Sequence, residues 1–109
     1  MSPGLISEIA LCARSYVTVE ARCDATAFSR VTNGRFKGGY TTRRYGRPDQ
    51  GVHAIQMELA CRGYMDDPPE PVSPRSWPAP YDPVRAAPMR EALTSILQAC
   101  LTFATESAR

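Results

Sequence analysis

Apolar residues recur at helical spacing near both ends of the chain. The N-terminal set recurs every three or four positions and predicts an amphipathic helix over residues 4–15. Toward the C-terminus, an apolar stripe with polar residues opposite it predicts a second helix over residues 83–105. The N-terminal set is Leu5, Ile9, Cys12 and Tyr16, and the C-terminal stripe is Met89, Leu93, Ile96, Leu97, Cys100, Leu101 and Ala104.

Between these predicted helices, alternation and composition indicate strands. Residues 52–60, VHAIQMELA, alternate between two unlike faces, as expected for a strand that packs one face against a core. Residues 16–19 and 40–45 also contain strand-forming residues. In segment 52–60 the apolar face consists of His53, Ile55, Met57 and Leu59, and the other face has Gln56 and Glu58 between alanines.

Turn and loop signals separate these elements. Asn33-Gly34 and residues 46–49 have turn composition, and residues 66–82 contain six of the ten prolines, which predicts an extended, irregular connection. At 109 residues the chain is one domain at most. The order of helix, strands, loop and helix predicts an α/β layered fold.

Composition narrows the class of protein. The net charge is only +2, and no apolar run approaches the roughly 20 residues that span a bilayer. The N-terminus lacks the basic region of a secretory signal. The four cysteines form no CxxC pair, and Cys12, Cys61 and Cys100 lie in apolar patterns that favour buried thiols. These features predict a reduced, cytoplasmic protein with no membrane partner.

A basic segment rich in glycine and aromatic residues follows the Asn33-Gly34 turn. Arginines among aromatics are typical of single-strand nucleic-acid surfaces, although the net charge is low for such a surface. A small-anion pocket needs only one or two arginines in fork geometry, and an exposed hairpin needs no function at all. All three interpretations remain open from the residues alone. The basic residues are Arg35, Lys37, Arg43, Arg44 and Arg47.

Glu58 is the main candidate for catalysis. A carboxylate in the middle of an apolar strand could be a general base with alanines leaving space in front of it, or an exposed glutamate satisfied by solvent or an arginine. The only histidine, His53, lies on the opposite face. One histidine and four dispersed cysteines do not readily supply the three ligands of a hydrolytic zinc site.

Two consecutive segments, NGRFKGGYTTRRYGRP and GVHAIQMELACRGYMDDP, closely resemble the C-terminal portion of N-formylglutamate amidohydrolases, also called N-formylglutamate deformylases. The resemblance is dense over residues 31–68, looser to about residue 103, and weak over residues 1–27. It implies a single partial domain over residues 1–109, with active-site strands in 31–68, a proline-rich loop in 69–82 and a C-terminal helix in 83–105. The implied fold is an incomplete phosphorylase/hydrolase-like layered fold, similar to zinc carboxypeptidases.

The resemblance also implies a reaction and roles for residues. The reaction is hydrolysis of N-formyl-L-glutamate to formate and glutamate in histidine degradation, with a zinc ion activating water. Glu58 matches the general base, Arg35 and Arg43 match binders of the substrate's carboxylates, Asn33 orients a polar group, and Gln56 supports Glu58. The chain departs from the family at Arg44, where a histidine is usual.

The zinc ligands of the family lie in an upstream half that this sequence does not contain. We therefore expect a truncated form that depends on a missing N-terminal half, or self-associates, and is poorly stable alone. The small-molecule partner would be an acylated, dicarboxylic amino acid. Two alternatives are a small nucleic-acid-binding protein that uses residues 35–47, and an inert interaction module left from the enzyme.

Overall fold

Strands and helices alternate along the chain. The structure, a computed structural model, describes residues 4–10, 13–34 and 39–107, with side chains described in 17–34 and 39–106. The elements are β1 (Gly4–Ala10), α1 (Ala13–Asp24), β2 (Ser29–Thr32), α2 (Tyr40–Tyr45), β3 (Ala54–Leu59) and α3 (Pro83–Ser107). Single 3-10 turns lie at Pro48–Gln50 and Cys61–Gly63.

The described strands form a mixed three-stranded sheet with the order β2-β1-β3. β1 and β2 are parallel, so the chain needs a crossover between them, and α1 provides it. β3 returns antiparallel to β1, pairing Leu59 with Leu5 and Ala54 with Ala10. This arrangement of helices and strands confirms the predicted α/β class.

Two predictions for the N-terminal region are wrong. Residues 4–10 form the central strand of the sheet instead of a helix, and residues 16–19 form the middle of α1 instead of a strand. Strand β1 is hydrogen-bonded to a neighbour on each side, and this pairing with residues distant in sequence outweighs a short helical spacing. The crossover between parallel strands then makes residues 16–19 helical.

The segment 40–45 is a short helix, so the predicted strand there is also wrong. The side chain of Thr42 is buried, and its hydroxyl donates to the carbonyl oxygen of Gly39 at 2.9 Å, a local bond that a threonine makes in a helix. The prediction of a strand in 52–60 is confirmed as β3. The irregular connection predicted for 66–82 is confirmed as well.

The C-terminal helix is confirmed, and α3 begins where the sequence predicts. Asp82 caps it, because its Oδ1 accepts hydrogen bonds from the backbone N–H groups of Val84 and Arg85 at 2.9 and 3.2 Å. Pro83 occupies the first helical position, where no N–H is needed.

The core lies between α1, α3 and the apolar face of β3. Ile55, Met57 and Leu59 pack against it, as the alternation of β3 predicts. The α3 stripe is buried only in part, because Leu97 and Leu101 are 64% and 70% exposed. The buried residues at the centre of the core are Val19, Cys23, Met89 and Ile96.

The cysteines differ from their predicted burial. Cys61 and Cys100 are exposed, whereas Cys23 is fully buried in the core. The burial of Cys23 raises the pKa of its thiol. Cys12 lies outside the described residues. All three described cysteines are free thiols.

No helix in the described ranges is both long and apolar enough to cross a membrane.

Candidate functional site

The candidate site lies at the edge of the sheet where β2 ends and β3 begins. In the register of the sheet, Ser7 of β1 pairs with Thr32 on one side and Met57 on the other. Asn33, the next residue after Thr32, is therefore level with Gln56, two strand spacings or about 10 Å away. Ligands of open α/β sheets bind at the carboxyl ends of parallel strands, which is this edge.

A series of hydrogen bonds fixes the carboxylate of Glu58. The backbone N–H of Gly39 donates to Gln56 Oε1 at 2.9 Å, and Gln56 Nε2 donates to Glu58 Oε1 at 3.0 Å. Among the described residues no basic side chain lies within ion-pair distance of Glu58. An amide therefore orients this exposed carboxylate through one oxygen, and the second oxygen has no hydrogen-bond partner among the described residues.

The glycine before α2 allows the backbone to approach Gln56. A Cβ atom at Gly39 would lie 3.3 Å from Gln56 Oε1, closer than most side chains tolerate. The Thr42 hydroxyl donates to the carbonyl oxygen of Gly39, so both backbone polar groups of this residue are bonded. The start of α2 and the side chain of Gln56 are thus held as one unit.

The basic residues of the site differ in how the structure places them. Arg43 and Arg44 lie in the last turn of α2 and are exposed. The guanidinium of Arg44 lies 5.7 Å from the centre of the Tyr45 ring and makes a cation–π contact with this neighbouring residue. Arg35 and Lys37 lie outside the described residues.

Asn33 forms the turn that the sequence predicts after β2. Its φ angle is +49°, in the left-handed region that asparagine tolerates better than most residues. Gly34 must follow it, because a Cβ atom there would overlap the side chain of Val31. The Asn33-Gly34 pair therefore fixes the direction in which the chain leaves the sheet.

A large cavity lies on the other face of β3. It has a volume of about 710 Å³ and is lined mainly by apolar residues of α1, β3 and α3. His53 contributes to its wall, with its ring edge-on to Phe103 at 4.9 Å between centroids. The Nδ1 atom of His53 is buried and has no hydrogen-bond partner among the described residues. This cavity is separate from Glu58, so size alone does not identify the site.

The described residues do not fit a zinc ion. No group of three histidine, cysteine, aspartate or glutamate side chains within 17–34 and 39–106 could hold a metal. Glu58 and His53 lie on opposite faces of β3. A metal ion that takes part in the reaction would therefore need ligands from outside these residues.

The structure brings the predicted residues Gln56 and Glu58 into contact and adds Gly39 and Thr42, which the sequence analysis does not single out. Gly39 is one of several glycines in the basic segment, and the burial of Thr42 depends on α2 being a helix, so neither residue stands out in the sequence. A glycine pair before a Thr-Thr step, read as a helix start rather than a strand, could have indicated them.

Fold and site together define a mixed α/β unit that presents an amide-held carboxylate beside a basic helix. The sequence profile of the N-formylglutamate amidohydrolase family matches residues 10–65, about half of the chain. The chain belongs to this family, and the resemblance seen in the sequence is confirmed. Family membership does not favour the nucleic-acid alternative.

Two curated relatives match most of the chain. The N-formylglutamate deformylase of Pseudomonas aeruginosa is 44% identical over 95 residues, which cover 86% of this chain and 33% of the relative. The N-formylglutamate deformylase of Pseudomonas putida is 41% identical over 83 residues, covering 76% of this chain and 28% of the relative. The chain thus spans about a third of the length of these relatives. No solved structure matches it significantly.

Proposed function

We propose that this chain supplies the general base and the carboxylate-binding side chains of an N-formylglutamate amidohydrolase. The reaction is hydrolysis of N-formyl-L-glutamate to formate and glutamate. The observation that supports it most directly is the hydrogen-bond series from Gly39 through Gln56 to Glu58. An exposed carboxylate held by an amide has a fixed direction and a free oxygen, as a general base requires.

Glu58 acts on water in this proposal. Its second oxygen accepts a proton as the water oxygen bonds to the formyl carbon. The proton then passes to the amide nitrogen as the C–N bond breaks, giving formate and the amino group of glutamate. Such proton transfer contributes about 10²–10⁴-fold to the rate. Gln56 is a positioning residue, because it acts on the reaction only through Glu58.

In this proposal, Arg35 and Arg43 bind the two carboxylates of the substrate. Arg43, on the last turn of α2, and Arg35, between β2 and α2, present guanidinium groups whose fork geometry matches a carboxylate. Asn33, at the same level of the sheet as Gln56, orients a polar group of the substrate. Neutralising both substrate charges places the formyl group for attack.

The family implies zinc and a zinc carboxypeptidase-like layered fold. We propose that the sheet described here is part of that fold, and that metal ligands come from polypeptide outside the described residues. The part of the family chain that this sequence does not cover would supply them. The described residues would then contribute the base and some of the substrate contacts, and no metal ligand.

A chimera tests this proposal. The 95-residue matched segment of the Pseudomonas aeruginosa deformylase is replaced by the corresponding residues of this chain, and formate release from N-formyl-L-glutamate is measured. We expect activity, and Glu58→Gln should lower kcat by about 100-fold or more because the base is lost. Glu91→Gln, an exposed acid on α3, is the matched control and should leave kcat unchanged.

Equal activity of the Glu58→Gln and Glu91→Gln chimeras would refute the role of Glu58. If the chimera does not fold, binding of L-glutamate to the chain itself is measured by calorimetry with Arg43→Ala as the comparison. Binding that Arg43→Ala weakens supports the carboxylate site. Absence of binding, or binding that the substitution does not change, contradicts it.

A further inference from the structure

The amide of Gln56 meets Glu58 in one orientation only. The backbone N–H of Gly39 donates to Gln56 Oε1 at 2.9 Å, and a backbone N–H can only donate. The amide oxygen therefore faces Gly39, and Nε2 faces Glu58, to which it donates at 3.0 Å. An ionised carboxylate only accepts hydrogen bonds, so this orientation suits the form of Glu58 that acts as a base. The placement of the Gly39 N–H thus decides which end of the amide meets Glu58.

The backbone at Gly39 is held by the first turn of α2. Gly39 precedes the helix with extended dihedral angles, φ −103° and ψ −166°. Its carbonyl oxygen accepts a hydrogen bond from the Thr42 hydroxyl at 2.9 Å and a longer one from the backbone N–H of Arg43 at 3.3 Å. Most residues at position 42 would leave the backbone bond in place, but the shorter bond requires a serine or threonine hydroxyl.

The hydroxyl of Thr42 is not needed for packing. Thr42 is 4% exposed, and a valine of almost the same shape would fill the position. Burying a hydroxyl costs free energy unless it forms a hydrogen bond, and this one bonds to the carbonyl oxygen of Gly39. The bond therefore accounts for the polar group at this buried position.

The other end of α2 is anchored separately. Arg47 and Val52 exchange two backbone hydrogen bonds, at 2.7 and 3.0 Å, and so close the loop between α2 and β3. Arg43 lies in the last turn of the helix, toward this loop. Neither of the two bonds uses the side chain of Thr42. Loss of the hydroxyl should therefore disturb the start of α2 and leave the proposed carboxylate-binding end in place.

We propose that Thr42 is a positioning residue for the reaction. Its hydroxyl holds the backbone of Gly39, the Gly39 N–H directs the amide of Gln56, and the amide directs the carboxylate of Glu58. This inference rests on the proposed function, because it needs Glu58 to be the base. Thr42 is buried and acts on the rate only through these residues. A displacement of about 1 Å in a reacting group can cost about 10²-fold in rate, so a partial loss of direction is measurable.

The chimera with the Pseudomonas aeruginosa deformylase tests this role through kcat and KM. Thr42→Val removes the hydroxyl but keeps the shape, and it should lower kcat by about fivefold with KM unchanged. Thr42→Ser keeps the hydroxyl and should restore most of the lost kcat. Thr41→Val, at an exposed position of the same helix, is the matched control and should leave kcat unchanged.

The route through Gln56 is tested by combining substitutions. Thr42→Val added to Gln56→Leu should lower kcat no further than Gln56→Leu alone, because both act through the same amide. Independent losses would overturn this route. If Glu58→Gln lowers kcat but Thr42→Val does not, or changes only KM, the role of Thr42 is refuted and the proposed function stands. If Glu58→Gln leaves kcat unchanged, both fail.

Amide hydrogen exchange followed by NMR tests the same contacts in the chain itself, without any reaction. In Thr42→Val the N–H of Gly39 should exchange about tenfold faster, because one neutral hydrogen bond is lost. The N–H of Val52, which donates to Arg47 in the closed loop, should keep its rate. Equal acceleration at Gly39 and Val52 would indicate a general loss of stability, and no acceleration at Gly39 would show that the hydroxyl does not hold it. Either result overturns the inference.

Discussion

At the scale of single residues, the candidate site depends on a few polar contacts rather than on a deep pocket. Glu58 is held by Gln56, and Gln56 is held by the peptide of Gly39. The first contact joins residues two positions apart, and the second joins residues seventeen positions apart. The orientation of the proposed base therefore depends on how α2 meets β3, although both residues on the strand were visible in the sequence.

Gln56→Leu tests the positioning role in the chimera described above. The substitution keeps a similar volume but removes the bond to Glu58 and the acceptor for Gly39. We expect kcat to fall by roughly tenfold with little change in KM, because supporting residues of a site act on the reacting group and not on binding. Gln98→Leu serves as the control. A rise in KM alone would assign Gln56 to substrate binding.

A second residue-scale prediction concerns the ion pairs between α1 and β2. Arg30 bonds both oxygens of Asp24, at 2.8 and 3.0 Å, and also contacts Glu20 at 2.7 Å. The hydrogen bond from Arg30 lowers the pKa of Asp24 below its ordinary value. Because this pKa is lowered, the pairing stabilises the fold at pH values above the ordinary pKa of an aspartate. The stabilisation is lost as the pH falls through the folded-state pKa.

Asp24→Asn should therefore lower Tm slightly at about pH 7 and have a smaller effect at about pH 3, below the ordinary aspartate pKa, because the pairing is lost as the pH falls through the lowered folded-state pKa. The carboxylate is exposed, so the effect at neutral pH is small. Thermal melts at both pH values measure it, with Asp49→Asn as an exposed control. An equal effect of Asp24→Asn at both pH values would contradict the linkage.

At the scale of elements, Arg85 joins α3 to the turn after β3. Its guanidinium contacts Asp66 at 2.8 Å and donates to the carbonyl oxygens of Arg62, Gly63 and Met65. One planar group thus satisfies several acceptors at the point where the proline-rich connection begins. A lysine at this position has the charge but cannot reproduce the fork.

Arg85→Lys should reduce the free energy of unfolding by about 1 kcal/mol, because several charge-assisted hydrogen bonds are lost while some remain. The connection over residues 66–82 should also become more sensitive to limited proteolysis, since its anchoring turn is loosened. Arg90→Lys, on the exposed side of the same helix, is the matched control. Equal protease sensitivity in both variants would show that Arg85 does not anchor the connection.

The predictions of secondary structure are confirmed where a segment has one clearly apolar face. β3 alternates strictly and α3 has a long stripe, so both elements are predicted correctly; β3 packs as predicted, whereas only Met89, Leu93 and Ile96 of the α3 stripe pack in the core. β1 and α2 were mistaken because short segments have ambiguous periods, and their structure is set by pairing and packing with distant residues. The burial of Cys23 and the exposure of Cys61 and Cys100 depend on the same tertiary contacts.

At the scale of the whole molecule, the fold is extended for its length. The radius of gyration is 16.0 Å, compared with about 13 Å for a compact domain of this length. The core is small, and several of its buried positions are alanine or cysteine. Leu97 and Leu101 remain exposed at the same time. A single copy therefore obtains limited stabilisation from burial.

Met89→Ala should remove most of that stabilisation. Met89 is 2% exposed and is among the largest fully buried side chains described, so its truncation should cost about 2–5 kcal/mol. Urea unfolding followed by circular dichroism measures the change. Leu97→Ala, at a 64% exposed position of the same helix, should have little effect on the unfolding of a single copy at low concentration. Similar losses in the two variants would contradict the described core.

The sequence alone determined which residues could do chemistry and which family they belong to. Side-chain identity and spacing are local properties, and the two segments that contain Asn33, Arg43, Gln56 and Glu58 preserve them. Only the tertiary structure decided that β1 is the central strand, that α2 places Gly39 against Gln56, and that one side of α3 is left uncovered. Those features arise from hydrogen bonds and burial between residues far apart in the chain, and periodicity within a short window does not contain that information.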